Sequence, residues 1–153
     1  MNDFAFVLAG VGLALMVGLS GCGSAIGLVI SGSCVIGAIR KRPEAFGTAM
    51  VAAVLPSTQG IYGFVGFMIY MPIVDPKMSI LSASIVFGAG LMLGLVALVS
   101  AIQQGIVCAS SVNAIGSGHN TLGPGLIMAA LPEFYAILSL VAAILVQSVA
   151  MKV

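Results

Sequence analysis

Apolar residues run almost unbroken along this chain, and the polar interruptions that matter fall in three places. Phe4 to Ile39 is one apolar stretch, closed by Arg40-Lys41-Arg42-Pro43-Glu44. A second runs from about Phe46 to Met71 and stops at Pro72, Asp75, Pro76 and Lys77. The third covers about Ser79 to Ile115 and ends in Gly116-Ser117-Gly118-His119-Asn120, and the fourth covers about Gly125 to Met151. A helix needs about 20 apolar residues to cross the hydrocarbon of a bilayer. The pattern therefore predicts an all-α membrane protein with four transmembrane helices, the first and third long enough to protrude.

The second pair of stretches repeats the first. A shift of 76 residues lays Gly12-Leu13-Ala14-Leu15-Met16-Val17-Gly18-Leu19 on Gly88-Ala89-Gly90-Leu91-Met92-Leu93-Gly94-Leu95. The same shift lays Ser24-Ala25-Ile26 on Ser100-Ala101-Ile102 and Leu55-Pro56 on Leu131-Pro132, without a gap from Gly12 to Val65. One offset that aligns Gly, Ser, Met and Pro together is not chance. It reads as a duplicated helical hairpin in parallel orientation, residues 1–76 and 77–153. Gly23-xxx-Gly27 and Gly90-xxx-Gly94 have the spacing that lets membrane helices approach closely. They fit either generic packing or a ring whose inner wall is spans one and three.

Composition excludes several classes of function. The chain is 61% hydrophobic and 6% charged, with mean hydropathy +1.26, whereas soluble domains run about 25% charged. A net charge of +1 excludes a basic nucleic-acid binder. The start, Met-Asn-Asp-Phe, has no basic region, so the first stretch is expected to be a retained span. Cys22, Cys34 and Cys108 have no metal spacing and read as small packing residues. Three of the five basic residues sit between spans one and two. The positive-inside rule puts that loop in the cytoplasm, with the Gly116–Asn120 loop beside it and both termini on the other side. His119 is expected to be a solvated loop residue.

Against this background Glu133 stands out. It is the only acidic residue well inside an apolar stretch, flanked by Leu126–Ala130 and Ala136–Val146. A charge at that depth costs roughly 2.5–3.5 kcal/mol even on lenient insertion scales, and such residues mark ion or proton pathways. Copy one has Ser57 at the matching position, followed by Thr58-Gln59-Gly60-Ile61-Tyr62, and copy two has Gln104 where copy one has Leu28. Thr58, Gln59 and Tyr62 share one side of span two. Pro56 removes a backbone donor and frees a nearby carbonyl. Hydroxyl, amide and carbonyl oxygens around one carboxylate suit a hard monovalent cation, because the loaded site is neutral. Each member also has a plainer use: Thr58 bonding back to Val54, Gln59 and Gln104 holding helices together, and Gln103 structural. Tyr70, at the end of span two, reads as an interfacial anchor.

Leu55-Pro56-Ser57-Thr58-Gln59-Gly60-Ile61-Tyr62-Gly63, Ser100-Ala101-Ile102-Gln103-Gln104-Gly105 and Glu133-Phe134-Tyr135-Ala136-Ile137-Leu138 closely resemble the V-type ATPase proteolipids. The likeness is to the duplicated, sodium-binding bacterial form and covers essentially the whole chain. It implies a homo-oligomeric rotor ring in the plasma membrane, turned against a stator subunit with an intramembrane arginine and joined to central-stalk subunits. It implies Na⁺ ligands at the Leu55 carbonyl, Thr58, Gln59, Gln104 and Glu133, with Tyr62 hydrogen-bonded to the glutamate. Pro132 is a departure from the family pattern and a candidate kink in span four. With no Gly-x-x-x-x-Gly-Lys-Ser/Thr loop, the chain is expected to be a non-catalytic subunit. The same role with H⁺ is the alternative, although H⁺ gives Thr58, Gln59 and Gln104 no task. A proton-coupled multidrug antiporter also has four spans and a buried glutamate, but would want aromatic residues, and this chain has no Trp. A purely structural pore or fusion proteolipid would leave Glu133 idle.

Overall fold

The computed structural model describes residues 3–152. Residues 1, 2 and 153, which belong to the expected hairpin units 1–76 and 77–153, lie outside the described residues. Helix α1 (Asp3–Lys41) has an acid in its first turn and Arg40 and Lys41 in its last, both matched to the helix dipole. Its 39 residues extend about 58 Å at 1.5 Å per residue, well past a hydrocarbon core of about 30 Å. Pro43 ends it by forcing Arg42 out of helical geometry, to φ −142 and ψ 87.

The second span is divided. Helices α2 (Phe46–Ala53) and α3 (Thr58–Tyr70) are joined by a tight 3₁₀ turn at Leu55–Ser57. Pro56 has no N–H to give, and the Ser57 N–H donates to Val54 O at 3.1 Å, three residues back. The Ala53 carbonyl, left over by this tightening, accepts instead from the Ser31 hydroxyl of α1 at 2.7 Å. Helix α4 (Ile80–Gly116) opens on an N-cap in which Ser79 Oγ accepts from the Ser82 N–H at 2.9 Å. It ends at a turn where Gly118 takes φ 94, a left-handed conformation that suits glycine. Helix α5 (Leu122–Ala150) carries Pro132 inside one continuous helix. The proline considered as a kink in span four therefore does not interrupt it.

Among the described residues four segments are long and apolar enough to cross a membrane: Asp3–Lys41, Pro43–Ile73, Ile80–Gly116 and Leu122–Ala150. The protein is all-α and integral to the membrane, as the hydrophobic pattern required. Large apolar side chains point outward, among them Phe64, Phe134 and Leu145, while alanine, glycine and serine fill the contacts between helices. That is the arrangement lipid permits, since close packing and not apolar burial holds the helices together.

Helices α1 and α4 meet backbone to backbone. A Cβ on Gly12 would fall 2.7 Å from Phe87 Cα, and one on Gly23 would fall 2.6 Å from Leu98 Cα. Gly27 packs on Ala101 and Gly105, and Gly90 on Gly12. Helices α3 and α5 are tied by Tyr70, whose hydroxyl donates to Ala143 O at 2.5 Å, and by Gln147, which donates to Ile69 O at 3.0 Å. Tyr70 is fully buried, so it is not the interfacial anchor its place in the sequence suggests. The small residues of α5 leave room for its ring. The three cysteines are free, Cys108 buried and Cys22 exposed, so Cys22 is not a packing residue within one chain.

Candidate functional site

The break after α2 is what aims Thr58 and Gln59 inward. Thr58 begins α3, and its hydroxyl donates to the Leu55 carbonyl at 3.1 Å, three residues back and not to Val54. It also lies 3.2 Å from Gln59 Oε1, to which it can donate instead. Gln59 is fully buried. Its Nε2 donates to Gln104 Oε1 at 2.8 Å and to Ser100 Oγ at 3.1 Å, both on α4.

Gln104 is also fully buried and forms the centre of the cluster. Its Nε2 donates to Glu133 Oε2 at 3.0 Å and to Ala129 O at 2.9 Å. The other carboxylate oxygen, Oε1, accepts from the Tyr62 hydroxyl at 2.8 Å. Leu55, Thr58, Gln59, Gln104, Glu133 and Tyr62 thus lie on one connected path of polar contacts drawn from three helices and the turn before α3. All six positions singled out in the sequence come together. Gln103 is exposed on α4 and takes no part.

One carboxylate meets only neutral polar groups here. Among the described residues the one ion pair is Arg42–Glu44, at the end of α1, and no three His, Cys, Asp or Glu gather as a metal cage. The arrangement therefore offers a single negative charge and several neutral oxygens, which a monovalent cation or a proton neutralises and a divalent ion overfills. Glu133 is half-buried, and no buried polar side-chain atom among the described residues lacks a partner. The polar groups of the cluster hold one another in place.

Ser100 was not anticipated. It accepts from Gln59 and donates to the Pro132 carbonyl at 2.8 Å, so it joins the start of α3 to the backbone just before Glu133. The signal was in the sequence: Ser100 lies four residues before Gln104 and so on the same helix face. Its repeat equivalent, Ser24, sits at the matching place in the first half and accepts from the Gly60 N–H at 2.8 Å.

The sequence matches the ATP synthase C-subunit family twice, over residues 11–70 and 87–146, two segments that begin 76 residues apart. It is 38% identical over 139 residues to the A-type ATP synthase subunit K of Methanocaldococcus jannaschii, a match covering 91% of this chain and 61% of that protein. It is 35% identical over 136 residues to the V-type sodium ATPase subunit K of Enterococcus hirae, covering 88% of this chain and 86% of that one. The chain thus spans under two thirds of the first relative's length but most of the second's.

Proposed function

The chain belongs to the ATP synthase C-subunit family, and from that premise we propose that it is the ion-carrying rotor proteolipid of a rotary ATPase, binding one Na⁺ at Glu133. The observation that carries the reading is the polar path from the Leu55 carbonyl through Thr58, Gln59 and Gln104 to the Glu133 carboxylate. The duplicated hairpins, residues 1–76 and 77–153, supply complementary parts of it. The first gives neutral oxygens, and the second gives Gln104 and the charge.

The ion is cargo. The ligands are the Leu55 carbonyl, Thr58, Gln59, Gln104 and Glu133, and Tyr62 steadies the carboxylate by donating to it. Loaded, Glu133 is neutral as a unit and tolerates a lipid-facing position. Unloaded, it is an anion that the bilayer disfavours, so release needs water or a positive partner. In a ring of such copies, an intramembrane arginine on the stator subunit meets that need, and half-channels on either side supply and remove the ion. Central-stalk subunits attach on the cytoplasmic face, which holds the Arg40–Glu44 and Gly116–Asn120 loops. ATP is hydrolysed elsewhere in the assembly.

H⁺ carriage is the competing reading within the same role, and the donor set argues against it. A proton needs Glu133 and one acceptor, and leaves the oxygens of Thr58, Gln59 and Leu55 with no ion to hold. Carbodiimides modify a protonated carboxyl, so labelling of Glu133 near pH 6 separates the two. Protection by millimolar Na⁺ is expected; strong labelling indifferent to Na⁺ would make the chain a proton carrier.

A further inference from the structure

Three hydrogen bonds join α3 to α5 among the described residues. One is the Tyr62–Glu133 bond of the ion site. The other two lie nearer the far ends of the helices and are reciprocal. Tyr70 on α3 donates to Ala143 O at 2.5 Å, and Gln147 on α5 donates back to Ile69 O at 3.0 Å. Tyr70 follows Tyr62 by two turns and Ala143 follows Glu133 by nearly three, so the pair stands about 12–15 Å along the helices from the carboxylate.

Close packing alone does not call for these bonds. Small residues suffice to seat one membrane helix on another, and α5 buries Ala136, Ser139, Ala143 and Ala150. Tyr70 is fully buried among them, and a phenol hydroxyl at that depth requires a partner. Its acceptor, the Ala143 carbonyl, lies inside α5, where the helix backbone already offers a donor. The bond therefore serves the seam between the helices and rescues no orphaned carbonyl. Gln147 has a plainer use too, because Ile69 is in the last turn of α3, where carbonyls run short of helical partners.

Elsewhere α5 is held by a different neighbour. From Thr121 to Pro132 its side-chain-mediated bonds to other helices all go to α4: Thr121 with Ser111, Ala129 with Gln104 and Pro132 with Ser100. Glu133 stands at the changeover, one carboxylate oxygen held by Gln104 of α4 and the other by Tyr62 of α3. The outer pair is also no relic of the duplication. Under the offset of 76 residues Tyr70 corresponds to Val146 and Gln147 to Met71, and neither counterpart has a side-chain donor.

We propose that Tyr70 and Gln147 are positioning residues for ion binding: they keep α5 seated on α3 so that Tyr62 closes on Glu133. The proposal rests on Glu133 being the ion site and adds a remote control over it. Loading and release require the Tyr62–Glu133 bond to open. With the helices pinned two to three turns away, the phenol and the carboxylate stay within reach and the closed form is favoured. Without the pins the closed form is a smaller fraction of the population, and the apparent affinity falls with that fraction.

The test is equilibrium binding and release of radioactive Na⁺ on purified protein. Tyr70→Phe keeps the ring and loses only the hydroxyl. It should weaken binding by about fivefold, the order expected for one hydrogen bond, and speed release. Gln147→Leu should shift both in the same direction. In a Tyr62→Phe background, with no bond to Glu133 left to guide, Tyr70→Phe should change neither. Ser82→Ala removes the α4–α5 bond to Ala150 O at the same end of the molecule and should bind and release as wild type does. An unshifted Tyr70→Phe overturns the proposal, as does an equal loss with and without the Tyr62 hydroxyl, or a Ser82→Ala shift as large. Each of those outcomes leaves Glu133 as the ion site. Wild-type protein that binds no Na⁺, or Glu133→Gln that still binds it, overturns the site reading and this proposal together.

Discussion

The two Leu-Pro positions make the sharpest comparison in the molecule. Ala53 and Ala129 are repeat equivalents, and the carbonyl of each accepts a side-chain hydrogen bond, from α1 in the first half and from α4 in the second. In the first half the donor is Ser31; in the second it is Gln104, standing where the first half has Leu28. Around Pro56 the helix breaks into a 3₁₀ turn, whereas around Pro132 it stays α-helical. Ser57 bonds back to Val54 O at 2.7 Å on the exposed side, and its equivalent Glu133 reaches across to Tyr62 and Gln104. The residues that follow are divided in the opposite sense. Thr58, Gln59 and Tyr62 turn inward on α3, but Phe134, Tyr135 and Leu138 at the same positions of α5 are exposed and apolar or aromatic. Duplication has not produced two weak sites. One half brings Thr58, Gln59 and Tyr62, the other brings Gln104 and the charge, and a single polar cluster is assembled across them.

Removing the charge should have the largest effect. Glu133→Gln keeps a group that can pair with Tyr62 and Gln104, so the chain should insert and assemble. ATP-driven Na⁺ uptake into vesicles should nevertheless fall to background. Retained uptake would mean that the carboxyl is not the carrier.

Erasing the asymmetry on α4 comes next. Gln104→Leu gives the second half the residue of the first and removes three hydrogen bonds, the buried ones to Gln59 and Ala129 and the half-buried one to Glu133. A buried group left unpaired costs about 1–3 kcal/mol. Na⁺ affinity should therefore drop by roughly a hundredfold, since about 1.4 kcal/mol corresponds to a factor of ten. An isotope-binding titration reads this directly, and an unchanged midpoint would remove Gln104 from the site.

The smallest effect separates the paired serines. Ser100→Ala breaks the link between Gln59 and the Pro132 carbonyl and should weaken Na⁺ binding by about tenfold, the order expected for one hydrogen bond. Ser24→Ala removes the matching hydroxyl from the first half and should leave the binding midpoint where it was. Equal shifts would mean that both serines act only on packing.

Much of this was legible in the sequence because membranes simplify the code. Four apolar runs give four spans, and one carboxyl among them is conspicuous at the energies involved. Thr58, Gln59, Tyr62 and Gln104 were readable because a polar group in lipid requires a partner, and few candidates exist. What failed was whatever depends on the helix opposite. The same Leu-Pro pair breaks one helix and not the other, so the pair by itself does not write the break. Tyr70 has the position of an anchor but lies against Ala143, which its own segment cannot reveal. Thr58 bonds to Leu55 and not to Val54 because the 3₁₀ turn shortens the reach by one residue.

The most direct measurement is the number of Na⁺ ions that purified protein binds per chain at saturation, in wild type and in Glu133→Gln. One ion per chain, and none in the variant, is the expected result. Two ions per chain, or one that survives the loss of Glu133, would contradict a single site shared between the halves.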